Sequence, residues 1–323
     1  MKLSVIIPTV KADHALDDCL ASLRAQTLSD FETIVVGNGP ITRELPATVV
    51  HCEENGGYGK AMNTGIRAST SDYILALNDD TVLAPNCLER LVAVMDSRFE
   101  IGMCAPQIRL LENGLIDSTG MLIARDGSSK QRGHGDRPTE GGRPTHALLP
   151  SGCAALYRRD MLDEIGLFEE DFFLYCEDTD LGLRARWMAW ECMYVPDAIV
   201  QHLYSHTAAK VSGLKAYFVE RNRILVAIRN FTYRGLLASP FYAFARYFWH
   251  WRLRSQGKGI AAAYDGDESI ARILYRAWYD AFLRLPEAYE KRREIQRTAR
   301  LSPEQFQKLL DSYRITGKEV ASQ

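Results

Sequence analysis

"YILALNDDTVL", residues 73–83, is the stretch on which the fold turns. Five mostly apolar residues run straight into Asn78-Asp79-Asp80, and the chain then turns apolar again. A short continuous apolar run reads as a strand buried on both faces, the pattern of a mostly parallel sheet covered by helices. Two adjacent carboxylates at the edge of such a core are costly unless something offsets their charge. Oxygen ligands at a strand end suit Mg²⁺ or Mn²⁺, which uses one or two carboxylates plus substrate phosphates. An aspartate-rich turn needs no ligand at all, and this stretch alone leaves the two readings level.

The flanking sequence repeats the same rhythm. "LSVII" (3–7), "TIVV" (33–36), "TVVH" (48–51) and "IGMCAP" (101–106) read as further strands. Between them, Leu16, Cys19, Leu20 and Leu23 recur at helical spacing behind a capping Asp13, and "GKAMNTGIRA" (59–68) continues as a helix. Pro85 opens another helix, carrying Leu88, Leu91, Val92 and Met95. Strands alternating with helices predict an α/β fold whose ligands lie beyond the carboxyl ends of the strands. Pro8-Thr9, Gly37-Asn38 and Asp79-Asp80 all follow strands and should line one crevice. Residues 125–147, rich in Gly, Pro and charge, read as a loop. From about residue 207 the pattern becomes long helices with many arginines and aromatics.

Composition narrows the classes. The 323 residues are 46% hydrophobic and 25% charged, enough to build a large core. The seven cysteines are scattered with no C-x-x-C pair, which predicts a reducing compartment, no disulfide framework and no zinc site. "MKLSVIIPTV" has no cleavage site and breaks at Pro8, so no signal peptide is expected, and no run approaches a membrane span. The net charge of −2 hides an asymmetry: residues 1–206 hold 18 Lys and Arg against 30 Asp and Glu, residues 207–323 hold 21 against 11. Opposed halves suggest two jobs or two partners. "GGYGKA" (56–61) is no phosphate loop, because Lys60 is followed by Ala61, and it lacks the dinucleotide fingerprint.

Two more clusters tilt the balance toward a metal site. Glu177, Asp178 and Asp180 in "FFLYCEDTDLGLRARW" (172–187) stand at a helix start, where acidic residues also complement the helix dipole. His202 in "AIVQHLYSH" (198–206) ends another strand, with His206 four residues on. Together with "SVIIPTVKADHALDDCLASLRAQTLSDFETIVVGNG", "ENGGYGKAMNTGIRAS", "PSGCAALYRRDMLDEIGLFEEDFFLYCEDTDLGLRA" and "ERNRIL", these pieces resemble, in order, the family 2 glycosyltransferases of the GT-A fold, rhamnosyltransferase-like branch. The resemblance spans about residues 1–230.

It implies a GT-A catalytic domain over 1–206, a Rossmann-like mixed sheet, and a helical C-terminal extension over 207–323. Asp80 matches the last acid of the family's metal-binding triplet, and His202 a histidine that completes the site, so these two would hold Mn²⁺ or Mg²⁺. Asp178 matches the general base. Pro8, Thr9, Asn38, Asn55, Gly56, Gly57, Lys60, Asn78 and Asp79 match the nucleotide-sugar edge, and Gly152, Glu177 and Asp180 are acceptor-side candidates. Relatives usually carry Asp at Gly37, where it contacts the base; its absence leaves the base open and hands Asn38 some of that contact. The implied reaction is inverting transfer from a nucleotide sugar, favouring dTDP-rhamnose, to a glycan or polyprenyl-linked acceptor in bacterial cell-surface polysaccharide synthesis. UDP-galactofuranose or UDP-glucose is the alternative donor, and a non-catalytic sugar-nucleotide or glycan-binding protein the alternative class.

Residues 234–258, "RGLLASPFYAFARYFWHWRLRSQGK", read equally well as a helix packed on the catalytic domain or as an interfacial segment. In the second reading Tyr247, Phe248, Trp249 and Trp251 sit at headgroup level and Arg and Lys meet an anionic membrane surface. That reading places a cytoplasmic enzyme peripherally on the inner face of the plasma membrane. Nucleic acid is not an expected partner of so acidic a companion domain. The last helices, from the start signal Ser302-Pro303-Glu304, pack on their own domain or form a homo-oligomer contact.

Overall fold

The computed structural model describes every residue except 40, 140, 204–211, 265, 267 and 323. His206 lies outside the described residues. The chain divides into two compact units, one of residues 1–121, 131–173 and 190–204, the other of 122–130, 174–189 and 205–323. The expected boundary at 206 falls near the start of the last of these segments. The second unit also takes in two earlier pieces, for packing reasons given below.

The first unit is a mixed sheet. In chain order it contains β1 (Leu3–Thr9), α1 (His14–Arg24), β2 (Phe31–Gly37), β3 (Thr48–His51), α2 (Gly57–Ala68), β4 (Tyr73–Leu77), β5 (Thr81–Leu83), α3 (Cys87–Ser97), β6 (Ile101–Leu110) and β7 (Ile116–Ser118). After β8 (Met121–Ile123) and β9 (Ser129–Gln131) come β10 (Thr145–Ala147), β11 (Ala154–Arg158) and α4 (Arg159–Ile165). Next is α5 (Glu177–Trp187), in the second unit, before β12 (Glu191–His202). The sheet order is β10-β12-β6-β11-β4-β1-β2-β3. β3, β2, β1 and β4 run parallel, while β11 lies antiparallel between β4 and β6. The segment 125–147, read as a loop, holds β9 and β10; three-residue strands are too short to show a period in sequence.

Local chemistry explains the elements. β1 and β4 are buried along almost their whole length, as their unbroken apolar runs require. Asp13 caps α1 by accepting from the Ala15 amide at 3.1 Å. Leu16, Leu20 and Leu23 of α1 and Leu88, Leu91 and Met95 of α3 pack into one apolar cluster with Val5, Ile7 and Leu75 of the sheet. Fully burying each such side chain contributes about 1.5–3 kcal/mol.

The second unit adds α6 (Gly213–Asn230), α7 (Tyr233–Arg254), α8 (Ile270–Leu283), α9 (Leu285–Thr298), α10 (Pro303–Ser312) and α11 (Gly317–Ser322). Ser302 and Gln305 form a capping box at α10, as the sequence signal indicates. Trp187 stacks on Phe306 with ring centroids 3.8 Å apart and donates to the Asn230 carbonyl at 2.8 Å, which draws α5 into this unit. The 122–130 hairpin joins through buried charge. Arg246 donates to Asp126 Oδ2 at 2.6 Å and to Glu220 Oε2 at 2.8 Å, and Arg223 donates to Glu220 Oε2 and to the Asp126 carbonyl at 2.9 Å each. Gly127 (φ +90°) is required there, since a Cβ would lie 2.4 Å from the Arg223 carbonyl oxygen.

Burial alone would raise the Asp126 and Glu220 carboxyls, but the two guanidiniums overcome it and hold both below their ordinary values of 3.8 and 4.5. Lowered folded-state pKa values stabilise the fold above the unfolded values, and that stabilisation disappears as pH falls through the folded ones. The melting temperature is therefore expected to be insensitive to these groups above about pH 5 and to drop steadily below about pH 4. Glu220→Gln should melt lower at neutral pH and show a shallower acid decline, read by circular dichroism. An acid limb as steep in Glu220→Gln as in wild type would contradict this. Among the described residues, no helix is long and apolar enough to cross a membrane.

Candidate active site

Sheet register assembles the centre in the first unit. β12 pairs with β5 so that His202 stands opposite Thr81, one residue from Asp80. β6 pairs with β12 on one side, matching Leu110 to His202, and with β7 on the other, matching Ile108 to Ser118. Asp117 of β7 is thereby brought beside His202. The Asp80 carboxylate lies 3.3 Å from His202 Nε2, and Asp117 Oδ2 lies 2.8 Å from His202 Nδ1. The turn that presents Asp80 is closed by Thr81, whose hydroxyl donates to the Asn78 carbonyl at 2.7 Å. The Asn78 amide donates to the Cys153 carbonyl at 2.9 Å.

The electrostatics follow from crowding. Burial raises the Asp117 carboxyl, but its bonds with His134 and His202 prevail and bring it down to about 2. Burial works against the charged imidazole of His202, yet the acidic groups around it, Cys153, Asp117 and Asp80, hold its pKa well above the usual histidine range. Because burial also keeps Cys153 raised as a thiol, the two carboxylates are the partners that matter. Burial pushes Asp79 up to about 6, opposed by the Thr9 hydroxyl, which donates to Asp79 Oδ2 at 2.5 Å. Asp79 is thus tied to the end of β1, while Asp80 faces His202.

A buried carboxylate holding one imidazole nitrogen, so that the other faces an acid at the sheet edge, is the arrangement by which metal-binding histidines are oriented. The donor set of carboxylate and imidazole therefore fits a divalent cation at Asp80 and His202. Sequence reasoning missed Asp117. Its only signal is a lone acid inside the apolar "GLIDSTGML" run, buried to 3% exposure. The Cys153 sulfur also lies in the group formed by Asp117 and His202.

The nucleotide-edge candidates surround the ends of β1 and β2. Pro8 and Thr9 end β1, and the Asn38 amide nitrogen donates to the Thr9 carbonyl at 2.8 Å. The Asn38 side chain is buried. Its Nδ2 donates to the Gly57 carbonyl and its Oδ1 accepts from the Gly56 amide, each at 3.1 Å. It clamps the Asn55–Gly57 turn, where a contact to the base had been expected of it. Asn55 Oδ1 accepts from the Gly57 amide at 3.0 Å. Gly57 (φ +84°) leaves no room for a side chain, since a Cβ would sit 2.1 Å from the Phe173 carbonyl oxygen. Lys60 reaches Glu54 at 3.6 Å, and the Gly152 carbonyl accepts from Tyr58. A Cβ at Gly37 would meet Ile41 Cδ1 at 2.9 Å and His51 Nδ1 at 3.2 Å, so the usual Asp does not fit here without movement of both.

Asp178 and its neighbours belong to the second unit. The chain enters α5 through left-handed backbone at Tyr175 (φ +69°) and Cys176 (φ +70°), a conformation costly to residues with a Cβ. Asn222, fully buried in the "ERNRIL" segment, donates from Nδ2 to the carbonyls of both Leu174 and Tyr175 at 2.8 Å. Asn222→Ala should release that turn, lower stability by about 1–3 kcal/mol and reduce kcat with little change in donor affinity. Steady-state kinetics and donor titration check this, and an unchanged kcat would contradict it. Burial, with help from Asp178, pushes Glu177 up to about 8, which withdraws one negative charge from beside Asp178. Asp180 is not available to an acceptor: it is buried, with Oδ2 on Arg184 Nε and Oδ1 on Asn230 Nδ2, both at 2.9 Å.

The model of the glycosyl transferase family 2 matches residues 4–166. The uncharacterized glycosyltransferase YwdF of Bacillus subtilis is 29% identical over 213 residues, 64% of this chain and 75% of the relative. The N-acetylglucosaminyl-diphospho-decaprenol L-rhamnosyltransferase of Mycobacterium tuberculosis is 26% identical over 248 residues, 64% of this chain and 78% of the relative. Among solved structures, GalNAc-T7 with UDP, GalNAc and Mn²⁺ superposes with a TM-score of 0.60 at 15% identity, over 88% of this chain and 56% of that one. S. aureus TarS 1-349 with UDP-GlcNAc gives 0.57 at 17% identity, over 97% and 91%. The shared fold is GT-A. Half of the sequence answers to a single family model, and on that ground the chain belongs to glycosyl transferase family 2.

Proposed function

We propose that the chain transfers a sugar, with inversion, from a nucleoside-diphosphate donor to an acceptor hydroxyl. The observation that carries this is the Asp80–His202–Asp117 array, linked through Asp79, Thr9 and Asn38 to the clamped Asn55–Gly57 turn. Asp80 and His202 would hold the cation, Mn²⁺ or Mg²⁺. When bound, such a cation neutralises charge on a departing diphosphate. Pro8, Thr9, Asn55, Gly56, Gly57 and Lys60 form the donor edge, with Asn38 and Asp79 fixing its shape. The acceptor oxygen forms a bond to the anomeric carbon as the carbon–oxygen bond to the diphosphate breaks. Asp178 takes the hydroxyl proton. Gly152 and Glu177 are kept as acceptor-side residues.

The favoured donor is dTDP-L-rhamnose, supported by the name of the mycobacterial relative, and the favoured acceptor is a polyprenyl-linked glycan of the cell surface. A UDP-sugar is the second reading. It is supported by the UDP-GlcNAc of the TarS structure, while Gly37 leaves the base open. Seven cysteines with no disulfide among the described residues suit a reducing, cytoplasmic setting. A panel of nucleotide sugars, scored for melting-temperature increase and transfer with Mn²⁺ present, tests the proposal. The expected result is one donor class that both stabilises the chain and is consumed. Stabilisation without turnover would favour a binding protein on the same fold.

A further inference from the structure

The second unit carries an apolar surface that the transfer reaction does not use. On α7, Leu237, Phe241, Phe244, Phe248 and Trp251 follow one another at spacings of four, three, four and three, a single stripe along the helix, and are 50–76% exposed. Arg246, Ala243 and Ser239 on the opposite side are buried. The stripe continues onto α8: Phe244 lies 6.5 Å from Trp278, ring to ring, and the exposed Tyr275 and Tyr279 stack beside it. Each aromatic side chain carries about 150–250 Å², so the α7 residues alone present roughly 600 Å² of apolar surface, at the upper limit of the largest patch on an ordinary monomer.

Charge says what would cover it. α7 contains no Asp or Glu, while Arg234, Arg252 and Arg254 on it, and Lys258 just beyond, are exposed. A second copy laid on the stripe by two-fold symmetry would bring these cations against an equally basic helix with no acid on α7 to answer them. An anionic bilayer surface answers both features, taking the aromatic face into the headgroup boundary and the arginines onto lipid phosphates. We infer that the α7–α8 face docks the enzyme, as a peripheral protein, on an anionic membrane.

The face differs from the one the sequence suggested. Tyr247 is turned inward, with its hydroxyl on Glu220, and Trp249 lies under Lys318 at 5.2 Å, so neither leads. The inference does not depend on which sugar is moved.

The test is co-sedimentation of the full chain with phosphatidylcholine vesicles and with vesicles containing phosphatidylglycerol. The expected result is binding to the anionic vesicles only, with a blue shift of tryptophan emission and release at high salt. Phe241→Ser combined with Phe248→Ser and Trp251→Ser should weaken binding at least ~10-fold at an unchanged melting temperature. Arg252→Glu with Arg254→Glu, a variant that leaves the aromatics intact, should weaken it by a similar factor. No binding of the wild-type chain to anionic vesicles, or binding as tight as wild type by both variants, would overturn the inference. So would a concentration-dependent dimer in sedimentation velocity that the aromatic variant abolishes.

Discussion

Asp178→Asn is expected to lower the rate of sugar transfer by about 10²–10⁴-fold, the range that a positioned general base supplies. Donor affinity should stay close to wild type, because the lost function acts on the acceptor hydroxyl. The variant is close to isosteric and keeps an oxygen for the Thr179 amide, which donates to Asp178 Oδ1 at 2.6 Å. The helix start should therefore survive, and the loss should appear in kcat. Initial rates against donor concentration, with parallel calorimetric titration of the donor, read both quantities. A variant with more than a tenth of the wild-type rate would remove Asp178 from the role of base.

Asp80→Ala is expected to abolish cation-dependent donor binding and to cost at least ~100-fold in turnover. A cation that stabilises a departing diphosphate supplies several kcal/mol, and each 1.36 kcal/mol is tenfold in rate. The structure separates this residue from its neighbour. Asp79 is held by the Thr9 hydroxyl at 2.5 Å, whereas Asp80 stands 3.3 Å from His202 Nε2. Asp79→Ala should therefore disturb the end of β1 and weaken donor binding without removing the Mn²⁺ requirement. Measuring donor-induced stabilisation with Mn²⁺ and with EDTA distinguishes the two variants. Equal Mn²⁺ dependence in Asp80→Ala and wild type would contradict the assignment.

Much of the first unit is legible in the sequence, because its central strands are continuous apolar runs and the candidate site residues follow them directly. "YILALNDD" reports a buried strand and its acidic end in one line, and His202 marks the end of another. Asp117 is not legible, because it meets His202 only through the pairing of β7 with β6, across 85 residues of chain. The left-handed backbone at Tyr175 and Cys176 also leaves no trace, since no glycine announces it; only the buried Asn222 amide reveals how the turn is held. Asp180 illustrates the converse. Three acids in four residues look alike as letters, but α5 turns Asp180 into the core against Arg184 and Asn230. On α7 the composition left a packed helix and an interfacial one level, and the exposed stripe emerged only once buried charge had fixed Arg246 and Tyr247 inward.

The most direct measurement is a crystal structure with Mn²⁺ and a nucleoside diphosphate, with the metal located by its anomalous signal. One peak bonded to both the Asp80 carboxylate and His202 Nε2 is expected, with diphosphate oxygens completing its shell and Asp117 still on His202 Nδ1. A peak that bypasses either Asp80 or His202, or bound diphosphate with no metal beside it, would contradict a cation site at these two residues.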